Sequence, residues 1–357
     1  MNKCLKMAVK FSLTILVALL QSCAASQVQL PMNMAEQIKT SNYKLNKFDA
    51  DMIVAMSKDE VGLRYMAAVN DLKLQLDIGE AYEKNLLDVM GLMFASTKRT
   101  DNVSEAVETI GQKDTYILKV TFELTRVILP RTRFGNTQAH MVISYTLLNS
   151  NKNKLFTFTD YEAGVKSNLS TLSDAAVFAA FPLFGAFMQG EKGVVSSAME
   201  YNMKSSIIKI TDILQQYLDP AKREAVLNTV AKNEKTLAET AAPFVEQIEN
   251  GDIASLLAAI RGMKNNYPVL AKAQDPIAQE LTKLSEQELD GQSAAAAKEM
   301  CAILSETGNS KFLHILENIG ANARDKRMRG WGKSYHDALL ESLCGTGKCS
   351  ESKPKTS

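Results

Sequence analysis

The hydrophobic pattern mixes two periods before Asp219-Pro220 and keeps only the helical one after it, and this boundary decides what the chain can fold into. Before it, apolar residues alternate with polar ones. Leu72-Lys-Leu-Gln-Leu-Asp-Ile78, Tyr116 to Val127, Ala139 to Leu147 and Leu155 to Tyr161 all have the two-residue period of half-buried strands. Pro130 and Gly135-Asn136 separate the second from the third, and Asn149 to Asn153 the third from the fourth, so short turns predict an antiparallel meander. Two segments of this half have helical spacing. One is Glu80 to Ala95, with Leu86, Leu87, Met90, Met93 and Phe94 on one face; the other is Val194 to Leu218, with Met199, Met203, Ile207, Ile210 and Leu214. The order β-α-β-β-β-α predicts an α+β fold, a small antiparallel sheet with helices on one face. Beyond Pro220 only helical spacing remains, over 221–249, 252–264, 267–287, 292–306, 310–322 and 326–343. Asn250-Gly251, Asn265-Asn266, Asp290-Gly291 and Gly308-Asn309 break it into short antiparallel helices.

The first residues follow different rules. Lys3, Lys6 and Lys10 precede an apolar run from Phe11 to Leu20, and no acidic residue occurs before Glu36. This is the pattern of an export signal. The run is half the roughly twenty residues that a membrane-spanning helix needs. It ends in Leu20-Gln21-Ser22-Cys23, which resembles the bacterial lipobox. That resemblance implies cleavage before Cys23, acylation of its thiol and usually of its new amino group. Two or more acyl chains anchor stably where one holds marginally. Ala24, rather than Asp, resembles the outer-membrane form of the enterobacterial sorting rule. An ordinary secretory leader cut elsewhere is the alternative.

Without residues 1–22 the chain keeps 38 basic and 40 acidic side chains, a charge of −2 that offers nucleic acid no electrostatic footprint. The 46% apolar content is too high for a disordered chain. Of five cysteines, Cys344 and Cys349 bracket a Gly-containing turn where a local disulfide is a candidate, and Cys301 sits in an Ala- and Ile-rich helical pattern that predicts burial. The histidines are His140, His314 and His336; His140 is expected on the solvent face of its strand. His314 and Glu317 have a ligand spacing with no second pair to complete a metal site. GxSxG, Walker A and HExxH patterns are absent from the sequence, so no catalytic, metal or cofactor site is expected. The basic run Arg324 to Arg329 with Lys333 is expected as solvated helix surface, or else as a patch for an acidic partner or anionic headgroups.

Residues 174–189 are the most apolar stretch after the leader, with Phe178, Phe181, Phe184 and Phe187 and with Pro182 and Gly185 expected to interrupt a helix. They form either a buried connection or an apolar docking segment for a partner or membrane.

The element order over about residues 45–218, with strand pairs such as YILKVTFEL and AHMVISYTLL, resembles periplasmic domains of transport-auxiliary and secretion-channel lipoproteins. Residues 294–343 resemble a HEAT-like helix pair, with the stripe Phe312, Leu313, Leu316 and Ile319 and a third helix bearing Trp331, Tyr335 and Leu339. The expected organisation is a signal peptide (1–22), a lipidated Cys23 with a flexible tether (23–46), an α+β domain (47–219), a HEAT-like helical domain (220–343) and a disordered tail (344–357). The expected function is a periplasm-facing outer-membrane lipoprotein that binds or scaffolds a protein partner without catalysis. Two alternatives stay open: an envelope-polymer hydrolase using carboxylates such as Asp160 and Glu162, and a surface-exposed lipoprotein.

Overall fold

The computed structural model describes residues 26–28, 30, 32–69, 72–105, 114–128, 136–167 and 183–344. The strands are β1 (Ser26–Val28), β2 (Phe48–Ala55), β3 (Arg64–Val69), β4 (Leu72–Asp77), β5 (Phe94–Thr100), β6 (Thr115–Ile128), β7 (Asn136–Asn149) and β8 (Lys154–Ser167). The helices are α1 (Met34–Thr40), α2 (Lys58–Val61), α3 (Ile78–Met93), α4 (Leu183–Leu218), α5 (Arg223–Asn250), α6 (Ile253–Met263), α7 (Tyr267–Ser285), α8 (Gly291–Glu306), α9 (Leu313–Asn322) and α10 (Lys326–Cys344). Strands occupy the N-terminal half and helices the C-terminal half, the division expected from the change of period.

The main sheet has the order β5-β2-β6-β7-β8. β6, β7 and β8 form the expected antiparallel meander, while β2 runs parallel to both β5 and β6. A smaller sheet, β1-β4-β3, holds the Leu72 strand. The inner face of the main sheet is covered by α3 and α4. Met52, Val54, Leu118, Val120, Ile143, Tyr145 and Leu147 meet Leu86, Val89, Met90, Met199, Met203 and Ile207 in one continuous core. That core runs on through the C-terminal helices to Met328 and Leu339. On the outer face, Ile53, Ala55, Ile117 and Leu148 form a small separate cluster.

One extra residue, Glu123, sits in β6 opposite no residue of β7, since Phe122 pairs with Ile143 and Leu124 with Val142. Beyond it the strand's faces exchange, and Arg126 stands beside His140 on the outer face. Past Lys119, no strand among the described residues pairs with β6 on its β2 side. Other groups seal that edge: Glu60 accepts the Phe122 N–H (2.8 Å), Thr307 O accepts the Thr125 N–H (2.9 Å), and Gln274 and Tyr65 donate to the carbonyls of Glu123 (2.9 Å) and Val127 (3.1 Å). Thr307 is held there by the end of α8, where Gly308 takes φ 66°, a left-handed conformation that costs an L side chain energy.

Three expectations are corrected. The stretch taken as a flexible tether is packed from Met32 onward. Met34 and Ile38, four apart on α1, are buried, Met34 N–H donates to Asn85 Oδ1 (3.0 Å), and Tyr43 donates to Asp212. Gly185 does not interrupt a helix, because α4 begins at Leu183, directly after Pro182, and continues through it. His140 is 6% exposed rather than on a solvent face, because α7 crosses the outer face of the sheet and lays Tyr267 over it.

Candidate functional site

The sheet meets the longest helix along β8, which is an edge strand. Even-numbered residues of β8 point inward, and successive ones meet successive turns of α4 running the other way. At Gly164 the helix comes closest. A Cβ there would collide with the Ala198 carbonyl and lie 2.8 Å from Asn202 Oδ1, so only glycine allows the approach. Next, Glu162 Oε1 accepts from Ser205 Oγ (2.8 Å) and from Lys209 Nζ (2.5 Å). Lys209 Nζ also reaches Asp160 Oδ1 at 3.0 Å. The two carboxylates are buried, while the lysine side chain is 46% exposed and closes the site from the solvent side. Beneath them, Tyr145 bonds both Tyr82 and Ser206 (2.6 Å to the latter), so the polar row runs from α4 across the inner face of the sheet to α3.

These contacts set the protonation of the row. Burial raises the Glu162 carboxyl, partly offset by the Lys209 hydrogen bond, and the nearby Asp160 charge adds to the rise. Burial pulls the Lys209 ammonium down, but the hydrogen bond to Glu162 and the charge of Asp160 outweigh it and hold the group above its ordinary value. Burial lifts both Tyr82 and Tyr145 phenols, keeping them neutral. One ammonium is therefore shared by two carboxylates inside the wall, and the row fixes the seat of α4 on the sheet.

Further along β8 the lining turns apolar. Phe158 floors a groove between α4 and α5 of about 190 Å³, with Ile213, Val226 and Val230 on its walls and Gln216, Thr229 and Asn233 at its rim. On the strand's other side, Glu234 of α5 accepts the Thr159 N–H (2.5 Å), and Lys272 of α7 bridges Glu234 and Thr159, each at 3.2 Å. The outer face at the opposite end of the strand carries a ring stack. Tyr267 lies 4.2 Å from His140 and 6.2 Å from Tyr161 between ring centroids, with the Arg126 guanidinium 5.8 Å from its own. Burial, with Arg126 nearby, lowers the His140 pKa and keeps the imidazole neutral.

Asp160 and Glu162 are the sequence candidates that the structure brings together. Lys209, which completes the pair, is forty-seven positions beyond Glu162, and no spacing rule could have linked them. Cys301 is buried and free, its thiol pushed up to about 12 by burial. Cys23, Cys349, Phe178 and Phe181 lie outside the described residues, and for Cys344, Phe184 and Phe187 only the helical backbone is described. In the basic run, Met328 is buried and Arg327 binds Asp325 Oδ2 (2.7 Å) and Leu289 O (2.5 Å). The Arg327 hydrogen bond holds the Asp325 carboxyl far below the usual range. Among the described residues no group of three or more His, Cys, Asp or Glu could hold a metal ion, and no helix is long and apolar enough to cross a membrane.

No protein-family model matches the chain, and no curated protein matches it significantly. Among solved structures, the chain is similar to a minor lipoprotein from Acinetobacter baumannii, at 11% identity over 47% of this chain and 94% of that one. The TM-score is 0.25, too low for the likeness to bear on fold or function.

Proposed function

We propose that this chain is a lipid-anchored envelope lipoprotein, held at the outer membrane through Cys23 and facing the periplasm, that works by binding a protein partner. The observation that carries the anchor is Leu20-Gln21-Ser22-Cys23 at the end of a ten-residue apolar run. Support for binding over catalysis comes from β8. A hydrolase would need Asp160 and Glu162 open to a cleft, whereas both are buried and share Lys209. The space beside them is the apolar groove of Phe158, Ile213, Val226 and Val230. In this reading α8 and α9 are a HEAT-like pair with α10 as a third helix, a type of fold used for protein contact rather than chemistry.

Cys23→Ala tests the anchor. The variant should leave the membrane fraction and lose acyl labelling, and labelling at the wild-type level overturns the assignment. Crosslinking in cells tests the binding role: a specific copurifying protein is expected, and none under several crosslinkers overturns it.

A further inference from the structure

Between Cys23 and the folded body there is little chain. β1 starts at Ser26, three residues after Cys23, and pairs in parallel with β4 in the register Ser26↔Leu74, Gln27↔Gln75 and Val28↔Leu76. A strand parallel to β4 arrives from the Leu72 end, so the chain enters β1 from the side where β3 and β4 meet at Val69↔Leu72. Three residues reach at most about 11 Å even when fully extended. After β1 the chain is tied down again by Met32, Met34 and Ile38 in the core and by the Asn85 and Asp212 hydrogen bonds.

The small sheet is also fixed to the main one. Tyr65 of β3 donates to Val127 O, and Val127 pairs with Ala139. From Ala139, β7 runs ten residues to Asn149, roughly 34 Å at the usual strand rise. The exposed turn around Asn151 is therefore at the far end of the main sheet from the small one. The headgroup layer on each side of a bilayer is only about 5–7 Å thick. An acylated residue sits at that level, so even a fully extended link leaves the start of β1 within about 6 Å of the headgroups.

We propose that the small sheet is the membrane-facing end of the molecule: with Cys23 acylated, β1 and β4 lie against phospholipid headgroups and the β7–β8 turn points away from the bilayer. This rests on the lipid-anchor reading above. It replaces a swinging stalk with a fixed pose, in which every surface of the protein is presented at a set height above the membrane.

The test uses the full-length protein in cells, with a photo-crosslinking amino acid at Gln27, Lys73 or Asn151, and mass spectrometry of the isolated protein after irradiation. Phospholipid adducts are expected at Gln27 and Lys73 and none at Asn151. Two sites on the small sheet guard against one substitution disturbing the fold. The mass of the N-terminal peptide is read in the same sample. A Cys23 without acyl chains overturns the anchor and the pose together. Acylated protein that forms no adducts at Gln27 and Lys73, or equal adducts at all three positions, overturns the pose and leaves the anchor standing.

Discussion

Burial of Glu60 against the β6 bulge raises its carboxyl from 4.5 to about 7; the Phe122 amide that it accepts opposes the rise, and the charges of Glu123 and Asp59 add to it. Between these values the folded chain holds a proton that the unfolded chain has released. Stability therefore falls as pH rises through that window, and the loss is complete above about 7. Glu60→Gln keeps an acceptor for the amide and removes the charge. It should add about 3 kcal/mol at pH 8 and nothing at pH 4, read as denaturant midpoints at the two pH values. Lys209 is the opposite case. Lys209→Met would leave Asp160 and Glu162 buried without a counter-charge. Breaking a buried pair costs about 3–5 kcal/mol, which the partial exposure of Lys209 reduces to about 2. Because the Glu162 carboxyl is already raised, the loss should shrink as pH falls and that group takes up a proton. An equal loss at pH 8 and pH 5 would show that the row is not what the lysine supports.

At the scale of elements, the seal on β6 depends on the turn after α8. A Cβ on Gly308 would face a left-handed φ of 66° and stand 3.1 Å from Thr125 O. Gly308→Ala should cost about 1–2 kcal/mol from backbone strain alone, measured by chemical denaturation, with faster amide exchange at Thr125. The elements that the sequence discloses are those with a clean period. β8 and the helices past Pro220 bury one face and expose the other, and β6 and β7 keep the two-residue period in their side chains although much of their outer face is covered as well. β2 escapes that test because Met52 to Ala55 are all buried, on both faces, as parallel strands flanked by two neighbours are. β5 escapes for the opposite reason: FASTKRT is a polar edge with a single buried residue, Phe94. α1 is too short to show a stripe. At the site, Asp160 and Glu162 are visible as two acids two apart on a strand. The partners that explain them, and the helix that buries His140, come from distant sequence through packing that no local pattern encodes.

For the whole molecule, a single core links the sheet to the last helix, and the two halves should unfold together. Tyr267 is one outer-face contact between them, stacked on His140 and Tyr161 beneath Arg126. Tyr267→Ala should cost about 3 kcal/mol. It should also split a single thermal transition into two, with the helical half resolved from the sheet by calorimetry. The single transition persisting, merely shifted, would place the coupling elsewhere, in the Thr159–Glu234–Lys272 clamp or the Arg126–Glu306 pair. Arg126 reaches that side of the sheet only because of the extra residue at Glu123. An ordinary strand has one parity, with its odd and even positions committed to opposite sides from end to end. β6 has two: up to Phe122 its even positions serve the inner helices, and from Leu124 its even positions serve the outer ones. One strand is thus written in two reading phases, and Glu123 is the punctuation that lets a single stretch of chain be a wall for both halves of the protein.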